Sequence, residues 1–238
     1  LATTDTNAEN ILCLTFTDAA AVEMRDRLKT IIGPTAHKIH IFTFHSFCNY
    51  VIQENYFLFG KQDLQAVSEL EQFEIIRRIL DNLDVSSPIK NGYNPYQEEG
   101  KIASLIQTMK KEGWQPEDIS NAIDEYLIDI RLRDEFIYKR KYKEFQAGDV
   151  NENKFAEEKR KMEKLRAAAA LLPLYKEEMQ SLNRFDFADM ILWVIAEFKN
   201  NPELVQRYQE QYHYFLIDEF QDTNGAQNEI VQLLSSYW

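Results

Sequence analysis

"FLIDEFQDTNGAQ", residues 215–227, decides how the rest of the chain is read. An apolar run ends not in a turn residue but in the carboxylate pair Asp218-Glu219, with Asp222 close behind. A short uninterrupted apolar run predicts a buried strand, here over 212–218, and "GAQNEIVQLLSSYW" (225–238) predicts the helix that follows it. In an open α/β sheet, ligands bind beyond the carboxyl ends of the strands, which is where Asp218 falls. An acid there can hold Mg²⁺ on a nucleotide's phosphates. One or two protein carboxylates suffice, because this ion keeps several of its waters. A second acid beside it can orient or deprotonate the attacking water. On these residues alone, a strand that ends in solvated acids is an equally good reading.

Working outward, two more strands appear near the N-terminus. "ENILCLTFT" (9–17) reads as a buried strand, and "KIHIFTF" (38–44) as a second, rich in β-branched and aromatic residues. Between them "AAAVEMRDRLKTII" (19–32) is amphipathic, with Asp18 as its expected N-cap and Gly33-Pro34 as its stop. "HSFCNYVIQENYFLFG" (45–60) returns to helical spacing. Near the other end, "FDFADMILWVIAEFKN" (185–200) is an amphipathic helix, and Asn201-Pro202 supplies a cap and a first-turn proline for the next one. Strands separated by helices predict a parallel α/β sheet. The stretch 61–184 is long, charged and helical, with loop signals at 85–96 and 112–118. Within it 155–182 reads as one long helix kinked at Pro173. The expected organisation is therefore one α/β domain from 1–60 and 185–238, with 61–184 inserted as a helical subdomain.

Composition narrows the function. The chain has 238 residues, 45% of them apolar, enough for a core, and seven glycines and six prolines do not suit a disordered chain. No apolar stretch approaches the length of a bilayer span, and the polar "LATTDTNAEN" lacks the pattern of a secretory signal. Cys13 and Cys48 both sit in apolar settings, which fits a reducing cytoplasm and no disulfide or metal framework. A net charge of −12 argues against non-specific nucleic-acid binding by charge, although not against a local aromatic site.

The longer string "LIDEFQDTN" resembles motif II of the UvrD/Rep family of superfamily 1 helicases. Other segments carry the same resemblance in the family's order and span nearly the whole chain. "LTFTDAAAVEMRDRL" (14–28) is similar to motif Ia and "TFHSFC" (43–48) to motif Ib. "FDFADMI" (185–191) resembles the DFxDL element, and "LIQTMKKEGWQPEDI" (105–119) a short lysine-rich element of the inserted subdomain. The resemblance implies a RecA-like motor domain of the P-loop NTPase type, with ATP and Mg²⁺ as cofactors. It makes Asp218 the metal ligand and Glu219 the catalytic base, and places Gln221 and Asp222 near the phosphate-sensing network. It makes Phe16, Thr17, Thr43 and His45 the contacts to single-stranded DNA, with Phe16 stacking on a base. An aromatic platform suits that task, because every base has a π-face whatever the sequence. On their own strands, Phe16 reads as a core residue and His45 as a cap or satisfied polar group; Phe44 and Phe47 read as core.

Two departures qualify the resemblance. Asp18-Ala19 stands where the family carries Asn-Lys, which exchanges a positive charge for a negative one at a strand-facing junction. No GxxxxGK[ST] phosphate loop occurs in these 238 residues. The resemblance places that loop just upstream of motif Ia and the arginine motifs downstream of residue 238. The expectation is an incomplete motor sheet from a longer helicase, inactive by itself, with an exposed sheet edge that rearranges or is shielded by oligomerisation. The lysines of "MKKEG" (109–113) and "YKRKYK" (138–143) read as solvated helix faces rather than a DNA clamp. The implied whole protein translocates 3′ to 5′ on single strands and unwinds duplex junctions in the cytoplasm, with repair or recombination proteins as partners. The alternatives are a non-catalytic helicase-derived scaffold and a subunit of a helicase–nuclease.

Overall fold

A computed structural model describes residues 6–60, 63–90, 93–141 and 144–236. In chain order the main elements are β1 (Ile11–Thr15), α1 (Asp18–Ile32), β2 (His40–Thr43), α2 (Phe44–Glu54) and a short α3 (Tyr56–Phe59). Then come α4 (Glu69–Asn82), α5 (Glu99–Glu112), α6 (Pro116–Asp129), α7 (Glu152–Ala169) and α8 (Leu172–Ser181). The chain ends with α9 (Phe187–Asn200), α10 (Pro202–Gln211), β3 (Tyr214–Ile217) and α11 (Gly225–Ser235). Two compact units form: one from 1–66, 110–113 and 185–238, the other from 67–109 and 114–184.

The first unit is built on a parallel sheet in the order β2-β1-β3. Cys13 pairs with Ile41 on one side and Leu216 on the other, so β1 is the central strand. Its Leu12, Cys13, Leu14 and Thr15 are all buried, as expected of a strand covered on both faces. On one face α1 seals Cys13, Ile39 and Ile41 with Ala21, Met24 and Leu28. On the other, Leu12 and Leu14 join Phe44, Phe47, Val51, Val194, Tyr208 and Ile230 in the main core. Phe44 and Phe47 are thus core residues, as expected.

β3 departs from the sequence reading. It is not buried on both faces: Phe215 and Ile217 pack against the main core, whereas Tyr214 and Leu216 are 48% and 53% exposed. Its apolar run therefore alternates in use, and among the described residues β3 pairs on one side only, with β1. Two cap assignments also resolve. The Thr17 hydroxyl, not Asp18, caps α1 by accepting the Ala20 N–H at 3.1 Å, which leaves Asp18 as the first helical residue. Asn201 caps α10 as predicted, with Pro202 in its first turn.

The second unit is helical. Ile75, Ile76, Ile79 and Leu80 of α4 meet Ile102, Ile106 and Met109 of α5 and Leu172, Tyr175 and Met179 of α8. The single kinked helix expected over 155–182 is two helices, α7 and α8, separated at Ala170–Leu171. Pro173 lies in the first turn of α8, where its missing N–H costs nothing, so it starts a helix instead of bending one. Ser68 and Glu71 form a capping box at the head of α4. Arg184 reaches the same Glu71 carboxylate at 2.9 Å. The basic run 138–143 lies only in part within the described residues. Among the described residues no helix is long and apolar enough to cross a membrane.

Candidate nucleotide and strand site

A parallel sheet collects the carboxyl ends of its strands on one edge. Here that edge carries Phe16 after β1, Thr43 at the end of β2 and Asp218 after β3. Three of the stretches singled out in the sequence, far apart along the chain, therefore share one rim.

Asp218 continues the ladder, donating its N–H to the Leu14 carbonyl at 2.9 Å, and its side chain is partly exposed. Glu219 then turns the chain. Its backbone is left-handed, with φ 49° and ψ 47°, a region that disfavours residues with a Cβ. The Asp222 N–H donates to the Glu219 carbonyl at 2.8 Å and closes a single 3₁₀ turn over Phe220–Asp222. The result is an exposed Glu219 carboxylate beside Asp218, held by the Gln221 Nε2, which donates to Glu219 Oε2 at 2.5 Å. Asp222 is exposed in the same turn. The donor chemistry, carboxylate oxygen only and open to solvent, fits Mg²⁺, which takes few protein ligands. Among the described residues no group of three or more His, Cys, Asp or Glu could cage a metal.

The other predicted residues divide into two kinds. Thr17 and Thr43 are caps. The Thr43 hydroxyl accepts the Ser46 N–H at 3.1 Å and donates to Ser46 Oγ at 2.9 Å, and the side chain is buried. Phe16 and His45 face outward. Phe16 is 36% exposed and rests on Phe44, with ring centroids 5.9 Å apart, so it stands at the surface rather than in the strand's core, as does the exposed Thr17 after it. The half-buried His45 ring meets Phe187 edge-on at 5.8 Å. Burial holds the His45 pKa below the ordinary histidine value, Asp186 opposes that shift and Lys111 reinforces it.

Three residues near this rim were not legible as site residues. Phe187, 64% exposed at the head of α9, puts a second aromatic beside His45. Lys110 contradicts its reading as a solvated face. It is 1% exposed, with Nζ 2.6 Å from both Asp186 Oδ2 and Asp189 Oδ1. Its neighbour Lys111 is exposed, as read. The Glu112 carboxylate accepts the Gly225 N–H at 2.9 Å, at the start of α11. The one sequence signal for Lys110 was the pair Asp186 and Asp189, too many acids for a buried helix start without a cation.

The chain matches the UvrD/REP helicase N-terminal domain over residues 1–237. It is 31% identical over 231 residues to a probable DNA helicase of Mycoplasma pneumoniae, covering 97% of this chain and 36% of that protein. It is 31% identical over 229 residues to the ATP-dependent DNA helicase PcrA of Bacillus subtilis, covering 95% of this chain and 25% of that one. With PcrA of Staphylococcus aureus the identity is 25% over 233 residues, or 98% of this chain and 26% of the relative. The chain thus spans about a third or less of the length of these relatives.

Proposed function

This chain belongs to the UvrD/REP helicase family, and from that premise we propose that it serves as the acid-bearing part of an ATP-driven motor on single-stranded DNA. It would act within a longer protein that also supplies the phosphate loop. The observation that carries the reading is the shared rim: the acid pair and the Phe16–His45 surface lie at the carboxyl edge of one sheet. Ligands of open α/β sheets bind at that edge.

Asp218 and Glu219 divide the work. Asp218, fixed by the ladder, would hold Mg²⁺, which supplies charge neutralisation at the β- and γ-phosphates when bound. Glu219, swung out by its left-handed backbone, accepts a proton from the attacking water and orients it. Gln221 steadies Glu219, and Asp222 faces the same space. On the strand side Phe16 offers a stacking face and His45 a neutral imidazole able to donate to a phosphate oxygen. Thr17 and Thr43 hold these two residues by capping the helices beside them. Translocation 3′ to 5′, duplex unwinding, cytoplasmic location and work in repair follow the same reading.

The test is ATP turnover by the longer protein with and without oligothymidylate. Turnover stimulated by the strand and abolished by Glu219→Gln supports the motor. Nucleotide binding with no turnover under any condition would leave a non-catalytic scaffold.

A further inference from the structure

The lysine-rich end of α5 belongs neither to the acid pair nor to the Phe16–His45 surface, yet its placement is specific. Residues 110–113 pack as part of the first unit, although the rest of α5 belongs to the second. This one turn touches the heads of two helices.

At the first head, Asp186 and Asp189 form a capping box: Asp186 Oδ1 accepts the Asp189 N–H at 3.0 Å, and Asp189 Oδ2 accepts the Asp186 N–H at 2.9 Å. Lys110 Nζ takes the remaining oxygen of each. All four carboxylate oxygens are thereby committed, and the head of α9 is locked to the α5 turn. Phe187, the next residue, carries that lock to His45.

At the second head, Glu112 accepts the N–H of Gly225, an otherwise partnerless donor in the first turn of α11. The contact is close enough to require glycine: a Cβ at residue 225 would run into the Glu112 main-chain carbonyl. Gly225 lies three residues after Asp222 of the acid-bearing turn, and Thr223 and Asn224 in between are themselves tied to α11 through Asn228 and Gln227. Lys110 and Glu112, two residues apart, point to different sides of their helix, so one turn can grip both heads.

We propose that the turn Lys110–Gly113 couples the two sides of the rim: Lys110 and Glu112 are positioning residues through which strand contact at His45 and Phe187 sets the Asp218–Glu219 turn. The proposal rests on the motor reading and adds how strand binding would stimulate hydrolysis.

The readout is the stimulation ratio, turnover with oligothymidylate over turnover without it, in the longer protein. Glu112→Ala lowers that ratio about fivefold, a typical size for coupling between two sites, with KM for ATP unchanged. Glu112→Gln, which keeps an acceptor oxygen, restores it. Gly225→Ala, whose Cβ meets the Glu112 main-chain carbonyl, displaces the same pair of residues and also lowers the ratio. A structural role alone would lower both turnovers together and leave the ratio fixed. A fixed ratio, or a Gln variant no better than Ala, overturns the coupling while leaving the motor intact. A wild type without strand-stimulated turnover, or a Glu219→Gln variant that keeps it, overturns the motor reading and this proposal with it.

Discussion

Lys110 Nζ lies 2.6 Å from Asp186 Oδ2, across 76 positions of sequence, with the lysine almost wholly out of water. Removing one partner from such a group leaves an uncompensated buried charge. Lys110→Met is expected to destabilise the chain by about 3–5 kcal/mol. Neutralising the acids as well, as Lys110→Met with Asp186→Asn and Asp189→Asn, recovers most of that loss. Urea midpoints of the single and triple variants measure both effects; equal losses would show that the charges are not what matters.

Gly225→Ala separates two opposed effects. Alanine is the better helix former by about 1 kcal/mol at an interior position. The collision with the Glu112 carbonyl acts the other way, and forced overpacking costs about 1–3 kcal/mol. The expected net result is a less stable protein. A thermal melt at or above the wild-type midpoint would contradict the close approach.

Thr43 tests whether a strand-contact motif is also a structural one. Its hydroxyl caps α2, so Thr43→Ala should cost about 1 kcal/mol of stability. Thr43→Ser keeps the oxygen and should keep the stability. If Thr43→Ala weakens strand binding while the melt stays at the wild-type value, capping is not its role.

Glu71 gives a pH signature confined to the second unit. The Ser68 N–H first, then Arg184, holds its carboxyl down at about 2. A depressed folded value contributes stability that is present above the unfolded carboxyl range, about 4.3, and lost as pH falls through about 2. The stability gap between wild type and Glu71→Gln should therefore narrow between about pH 4 and pH 2. A gap constant across that range would mean that the carboxylate charge contributes nothing.

Much of this architecture was legible from local pattern. Uninterrupted apolar runs at 11–14 and 214–217, amphipathic spacing between them and the Asn201-Pro202 start are decided within a few residues of themselves. The acid pair could be placed at a strand end for the same reason. What escaped depends on partners distant in sequence or on competition between neighbours. "MKKEG" gives no hint that one lysine is buried and the next exposed, because Asp186 and Asp189 decide it. Thr17 and Asp18 are both good caps, and only the backbone shows which oxygen meets the Ala20 N–H. The apolar run of β3 could not reveal that Tyr214 and Leu216 stay exposed, since which face of a strand is covered depends on elements distant in sequence.

The most direct measurement of the central claim takes nucleotide affinity and single-turnover hydrolysis from one preparation of the longer protein, wild type against Glu219→Gln, with oligothymidylate present. Glutamine keeps the size of the side chain but cannot accept the water's proton. If Glu219 is the base, ATP binds with unchanged affinity while the hydrolysis rate falls at least a hundredfold, on the order expected for loss of a general base. Hydrolysis at the wild-type rate in the glutamine variant would contradict the account.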